Sequence, residues 1–486
     1  MDNENENNKF SSTVIVDTSS DAETGQNKCE RCGSTEISLN VSTGMLRCHF
    51  CRHEQEGDTF EKHVTDIGNL KGEFIGSGAT DIVASTDDVL TFKCIGCAAE
   101  IIVDTSQVTQ ARCHWCRQTL SVNDQIPNGA VPDKVLPFSV IKNDAMTAIK
   151  KFSDKRSFFA HPVFKREFVS ENIMGVYLPY MVVDANLKGN FTGIGEIEIR
   201  RWTESKTVGS GEKRKTVTTT YYDADVFNIV RNFDMTVEGL TIESNSAKLK
   251  YRDSNQTNNV INAVKPFQIE KAMKWDANYM TGYTSQKRDV NIEELRDLVV
   301  TKMSDIARRN LLPTIREYNR GVRWNSENLK VVGKQWKAAY FPVWLYSYQH
   351  TDKTIHYIAV NGQTLKTMGS VPVNKGKLTT FSIIVGTILG AALGIAMTVG
   401  VNIFFEENFD FFLFVIIFIP IVIIFLYAGI YGSYRNAHAR YSHETESSSN
   451  VSNIINQDTR INQIRRTTSS RMSGGSNTSR VDYDGN

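Results

Sequence analysis

The sequence predicts a multidomain chain: two small β modules organised by cysteines, an α+β middle domain, and a hairpin of two apolar helices. Three observations carry this reading. All eight cysteines fall between Cys29 and Cys116, in four Cys-x-x-Cys pairs. Two long uncharged runs lie between Leu378 and Tyr434. From Val131 to Gly376, helical and strand-like periodicities alternate. At 486 residues the chain exceeds one ordinary domain. Its 55 Lys+Arg against 54 Asp+Glu leave a net charge of +1, so no global field draws in nucleic acid. The N-terminus, MDNENENNKF, is polar and lacks the apolar stretch of a secretory signal.

The cysteine pairs are Cys29/Cys32 with Cys48/Cys51, and Cys94/Cys97 with Cys113/Cys116. Fifteen residues separate the pairs in each set, and the second set repeats the first at an offset of 65. That spacing fits a four-thiolate zinc ribbon, two knuckles meeting across a β-hairpin, so two structural Zn2+ sites are expected. In the first module Glu36–Val41 alternates apolar and polar, Ser42-Thr43-Gly44 can turn, and Met45-Leu46-Arg47 leads back. Ile101–Val103 and Val108–Ala111 are expected to play the same parts in the second. Gly33 suits a knuckle in which amides turn toward sulfur. A redox role fits poorly with four pairs at hairpin spacing. Iron–sulfur ligation uses the same thiolates and stays open. His49, His53 and His114 are read as surface residues, because each site already has four sulfurs.

A nucleic-acid interface needs clustered Lys/Arg. The first ribbon has four basic residues against four acidic between Lys28 and Glu56, and the second has three against two between Lys93 and Gln118. Phe50 and Trp115 stand at equivalent knuckle positions. Packing against the ribbon or a neighbouring domain is favoured over stacking on bases. Protein contact is therefore favoured over nucleic acid.

The first uncharged run, Leu378–Phe405, has 28 residues, about 42 Å as a helix against a hydrocarbon core of roughly 30 Å. The second runs from Phe411 to Tyr434, with Pro420 inside it. Lys375 and Lys377 precede the first run, Arg435 and Arg440 follow the second, and Glu406, Glu407 and Asp410 lie between. The positive-inside rule puts both termini in the cytoplasm of a multi-pass cell-membrane protein. Gly386, Gly390 and Gly394 form a small-residue stripe that serves either packing within the hairpin or self-association.

In the middle domain, Asp144–Phe152 reads as a short amphipathic helix. A second helix starts at Asn291 with Glu294 in capping-box position and runs to Leu312, burying Leu295, Leu298, Val299, Met303 and Ile306. Phe191–Trp202 and Thr216–Val226 read as strands joined by a basic connection. That connection is a solvated tip or a contact for anionic lipid. Val176–Val182 echoes Ala339–Leu345 around a shared Tyr-x-Pro, which raises an internal duplication. No Gly-x-x-x-x-Gly-Lys-Ser/Thr loop is present, and no nucleophile–base pair is visible, so no enzymatic activity is expected.

The paired Cys-x-x-Cys ribbons, Tyr177-Leu-Pro-Tyr, Phe341-Pro-Val-Trp-Leu-Tyr-Ser-Tyr, and Tyr357-Ile-Ala-Val-Asn-Gly-Gln-Thr before an apolar hairpin resemble the bacterial TFIIB-type zinc-ribbon membrane proteins. These include the YdjG-like proteins of phage-shock-like stress systems. The resemblance covers most of residues 27 to 433. It implies a cytoplasmic, membrane-tethered adaptor that works with membrane proteins and a peripheral stress protein. The usual Asn-Gly-x-Thr-Gly turn here reads Asn361-Gly362-Gln363-Thr364-Leu365 and loses its second glycine. The expected division is a disordered N-terminus over 1–26, ribbons over 27–58 and 92–124 with a linker over 59–91, and the α+β domain over 125–377. Spans follow over 378–405 and 411–434, then a disordered tail over 435–486, where Arg465, Arg466 and Arg471 are read as solvated. The expected function is a membrane-anchored adaptor whose partners are the bilayer and other proteins. The alternative is a membrane-tethered nucleic-acid binder.

Overall fold

The structure is a computed structural model that describes residues 13–18, 27–58, 66–82, 89–93, 100–104, 110–112, 119–121, 132–169, 172–208, 215–245, 264–285, 288–349, 355–405, 411–435 and 448–472. In chain order the strands begin with β1 (Thr13–Val16), β2 (Ile37–Asn40), β3 (Met45–Cys48), β4 (Glu54–Gln55) and β5 (Gly72–Gly76). Four short strands follow: β6 (Val89–Lys93), β7 (Glu100–Asp104), β8 (Gln110–Arg112) and β9 (Thr119–Ser121). Then come β10 (Lys134–Val135), helices α1 (Lys142–Asp154) and α2 (Pro162–Glu167), and two long strands, β11 (Met174–Val208) and β12 (Lys215–Glu243). After β13 (Met273–Lys274), β14 (Thr284–Ser285) and α3 (Ile292–Leu311), a third long strand, β15 (Val322–Gln349), leads to β16 (Ile355–Asn361) and β17 (Thr367–Gly369). Two apolar helices, α4 (Lys375–Phe405) and α5 (Phe411–Arg435), precede β18 (Ser448–Met472).

One large sheet organises the body, in the order β1-β5-β15-β11-β12-β18, with β10, β13, β14, β16 and β17 attached at its sides. Gly175–Ala185 of β11 is buried on both faces, and the period of two sorts its side chains. Met181, Val183, Ala185 and Leu187 face α3, meeting Leu295, Val299 and Met303. Leu178, Tyr180 and Val182 face the opposite layer, with Val264 and Phe267. β15 alternates in the same way, Trp336 and Ala338 toward α3 and Ala339, Phe341 and Val343 away. Helix α3 begins on a capping box: the Asn291 amide donates to Glu294 Oε1 at 3.1 Å while the Asn291 side chain accepts from the third helical amide. The two echoing segments lie side by side. Tyr177 pairs with Pro342, Leu178 with Phe341 and Pro179 with Tyr340, so the shared Tyr-x-Pro marks a local two-fold within one sheet.

Three stretches differ from the sequence reading. The tail was expected to be disordered, yet β18 pairs antiparallel along β12 from Glu238 to Val217. It buries little apolar surface. Its support is the open edge of β12 and cross-strand pairs such as Arg460–Asp225 at 2.5 Å and Arg466–Glu196 at 2.8 Å. Composition does not reveal such a partner. Within the expected disordered N-terminus, the β-branched run of β1 pairs in parallel with β5. Within the expected linker, β5 joins β1 to β15. Buried Glu73 on β5 accepts from Arg296 Nη1 at 2.8 Å and Trp336 Nε1 at 3.1 Å, with Lys334 Nζ at 3.2 Å.

Both uncharged runs form helices long and apolar enough to cross a membrane. They pack on each other along the glycine stripe. A Cβ at Gly386, Gly390 or Gly394 would stand 2.9, 2.6 or 2.8 Å from the Cα of Ile423, Ile419 or Val415. The stripe is thus occupied by the chain's own second helix, the first of its two expected uses. Outward-facing Ile384, Ile388, Ile416, Ile424 and Phe425 are exposed. The hairpin base is fixed to the body through Phe159, Leu378 and Tyr434, all buried in one apolar cluster.

Candidate metal centre

The first cysteine quartet closes on itself. β2 pairs with β3 from Ile37↔Cys48 to Asn40↔Met45, and β4 adds to the other edge of β3. This hairpin brings Cys48 and Cys51 against Cys29 and Cys32. The Sγ atoms of Cys29 and Cys51 are 3.6 Å apart, as are those of Cys32 and Cys48, and all four lie within 4.8 Å of one another. A disulfide needs about 2.05 Å. A tetrahedron with metal–sulfur bonds of about 2.3 Å has edges near 3.8 Å, which the quartet matches. Four thiolates would fill such a site and leave no position for substrate. A metal bound there would supply folding energy.

The backbone shapes both knuckles alike. The Gly33 amide donates to Cys29 O at 2.8 Å, and the Arg52 amide donates to Cys48 O at 3.1 Å. Gly33 (φ 70°) and Arg52 (φ 65°) share the left-handed region, each directly after the second cysteine of its pair. The role of Arg52 was not evident from residue type, although its place relative to Gly33 was a usable signal. Burial opposes ionisation of Cys48. The amides of Cys51 and Phe50 and the neighbouring thiols outweigh it, and the thiol falls to about 6. His49 Nε2 lies 2.7 Å from Ser38 Oγ. Among the described residues the metal-ligating cluster contains cysteines alone.

The ribbon is mounted on the sheet body. Cys29, Ile37, Leu39, Leu46 and Cys48 join the apolar cluster that contains Trp275, Tyr279 and Met280. The Lys274 amide donates to Asp58 O at 2.9 Å, and Asn278 Nδ2 donates to Asn27 O at 3.0 Å. Phe50 corrects an expectation. Packing was the favoured use, but its side chain is 79% exposed at the knuckle, because the docking face is the opposite one, built from Ile37, Leu39 and Leu46.

Cys94, Cys97, Cys113 and Cys116, with His114 and Trp115, lie outside the described residues. Their flanking strands are described. β6 pairs with β7 and β8 with β9, so each Cys-x-x-Cys pair falls in the connection of its own hairpin. The expected pairing of Ile101–Val103 with Val108–Ala111 is not formed among the described residues, since each of those strands takes the partner beyond its own cysteine pair.

A cavity of about 370 Å³ opens on the sheet between β11, β12, β15 and the 267–272 segment. Asp184 at its wall accepts from the Gly239 amide at 2.8 Å and Gln335 Nε2 at 2.9 Å, with Lys337 Nζ at 3.6 Å. Burial raises its pKa, but Lys337 and Lys134 outweigh burial and hold the carboxyl below its usual range. Its described lining includes neither Cys nor His.

No protein-family profile and no solved structure matches the chain. The chain is similar to a Bacillus subtilis (strain 168) protein named uncharacterized protein YdjG, 24% identical over 351 residues, which cover 72% of this chain and 91% of that protein.

Proposed function

We propose that this chain is a membrane-anchored zinc-ribbon adaptor, which holds protein partners against the cytoplasmic face of the cell membrane. The observation that carries the proposal is the mounting of the ribbon. A four-thiol cluster with no open coordination position is fastened by buried contacts to the same body that roots two apolar helices. Such a site organises a surface and performs no chemistry on a substrate. The identical spacing of the second quartet supports a second zinc site, with Cys94, Cys97, Cys113 and Cys116 as ligands. The basic flanks Lys375, Lys377 and Arg435 support a hairpin with both ends in the cytoplasm, where cysteines stay reduced. A TFIIB-type ribbon and a place in membrane stress response are part of this proposal, and they rest on the paired Cys-x-x-Cys spacing and the Tyr-x-Pro segments ahead of the apolar hairpin. Nucleic acid is disfavoured as a partner, because neither ribbon carries a clustered surplus of Lys and Arg: four basic residues stand against four acidic in the first and three against two in the second.

The test is affinity purification of the full chain from membranes, with metal analysis. The wild type is expected to carry two zinc equivalents and a reproducible partner set. Cys48→Ser is expected to lose one equivalent and part of that set while remaining in the membrane fraction. Recovery of the same partners after metal loss would remove the recruitment role from the ribbon.

A further inference from the structure

The corner formed by α1, the 155–161 turn and α2 is a basic surface. Between positions 142 and 167 there are seven Lys or Arg and three Asp or Glu, a local surplus of four on a chain whose total is +1. Lys150, Lys151 and Lys155 are exposed. The opposite side of α1 is apolar, with Ala145, Ile149 and Phe152 buried in the body, so the lysines have been left on the free face.

This corner abuts the foot of the helical hairpin. The Phe159 amide donates to Tyr434 Oη at 3.2 Å, Lys377 Nζ donates to Phe158 O at 2.8 Å, and the Asn374 amide donates to Phe159 O at 2.8 Å. Phe159 and Phe381 meet edge-on with ring centroids 5.1 Å apart. Phe158 is 55% exposed beside the first turn of α4, with Lys377 Nζ 3.8 Å above its ring. An aromatic ring left open next to a cation, at the point where an apolar helix leaves the body, has the make-up of a residue at headgroup depth. Any bilayer that surrounds α4 and α5 would bring its inner headgroups to this corner.

We propose that the α1–α2 corner is a binding surface for anionic phospholipid headgroups, with Phe158 at the acyl boundary and Lys150, Lys151 and Lys155 on the phosphates. The proposal rests on the reading that α4 and α5 span a membrane. Its role is to set the tilt and height of the sheet body above the bilayer, a contact independent of the spans themselves. The surface is matched to negative charge that lies within a Debye length of a membrane and is offered there at high local density.

Spin-labelled phosphatidylglycerol and phosphatidylcholine, added separately to bilayers containing the full chain, report lipid slowed by the protein. Slowed phosphatidylcholine reports the spans; the preference for phosphatidylglycerol reports the corner. The wild type is expected to prefer phosphatidylglycerol by about threefold or more at low salt and to lose that preference near 0.5 M salt, roughly where screening becomes short-ranged. Lys150→Gln/Lys151→Gln/Lys155→Gln is expected to bring the preference close to one with phosphatidylcholine unaffected. Lys71→Gln/Lys206→Gln, at exposed lysines elsewhere, is expected to leave it. Equal slowing of both lipids by the wild type, or a preference unchanged in the triple variant, overturns the proposal and leaves the spans intact. Absence of any slowed phosphatidylcholine overturns the spanning reading and this proposal with it.

Discussion

Asp276 couples the ribbon's seat to pH. It is buried in the turn that receives the ribbon, with Oδ1 accepting the Asn278 amide at 2.8 Å. Burial, reinforced by the charge of Asp58, pushes its carboxyl up to about 6 despite the nearby amides. A carboxyl raised above its unfolded value near 3.8 favours the native state below that value, and the contribution is lost as pH rises through 6. The whole effect is about 3 kcal/mol, as an order of magnitude. Asp276→Asn is therefore expected to raise the denaturant midpoint more at pH 7.5 than at pH 5, by about 1 kcal/mol of difference. An equal gain at both values would show that the carboxyl is not the titrating group. The convergence of Cys29, Cys32, Cys48 and Cys51 was legible in the sequence, because the spacing of the two pairs brings their sulfurs together across a hairpin. Asp276 was not, because its environment is made by Asn27 and Asp58, over two hundred residues away.

At the scale of elements, two contacts invite direct tests. The α4–α5 contact rests on backbone approach at Gly390, so Gly390→Ile is expected to cost about 1–3 kcal/mol through overpacking against Ile419. Thermal unfolding in detergent would register it, and an unchanged melting profile would show that the helices do not touch there. The tail strand is held by buried Arg231, whose guanidinium binds Asp458 in a two-point contact, with Nη2 to Oδ2 at 2.9 Å. Arg231 Nη2 also donates to Thr314 O at 2.9 Å and Nη1 to Val230 O at 3.0 Å. These bonds survive loss of the carboxylate, which limits the cost of Asp458→Ala to about 1–3 kcal/mol. The loss is expected as faster amide exchange across β18 and the facing β12; unaltered exchange there would refute the clamp. The α3 capping box and the two uncharged helices could be read from sequence, since their signals are local. β18, β5 and β1 could not: each is a strand by virtue of a partner distant in the chain, and a polar strand on an open edge resembles a solvated tail in composition.

At the scale of the molecule, the sheet ties together parts that the sequence presents as separate. β1, β5 and β18 come from segments read as ends or linker, yet all join the sheet that also seats the ribbon and roots the helices. The long hairpin of β11 and β12 starts near that root: Met174 pairs with Leu345, while Lys206 pairs with Val217 near the other end. Arg200, Arg201 and Lys206 stand on the part of β11 remote from Met174 and the hairpin base, so the α1–α2 corner is better sited for lipid than that end of the strand. Phe50 is the large apolar side chain that the cysteine hairpin presents most openly, at 79% exposure, and a metal bound by the four thiols would fix the knuckle that carries it. The adaptor account therefore turns on what touches Phe50. The most direct measurement is photo-crosslinking in membranes from a benzophenone amino acid placed at position 50. A discrete adduct with a second protein, lost in Cys29→Ser or after chelation, is the result the account predicts. No adduct, or one that persists unchanged once the metal is gone, would contradict it.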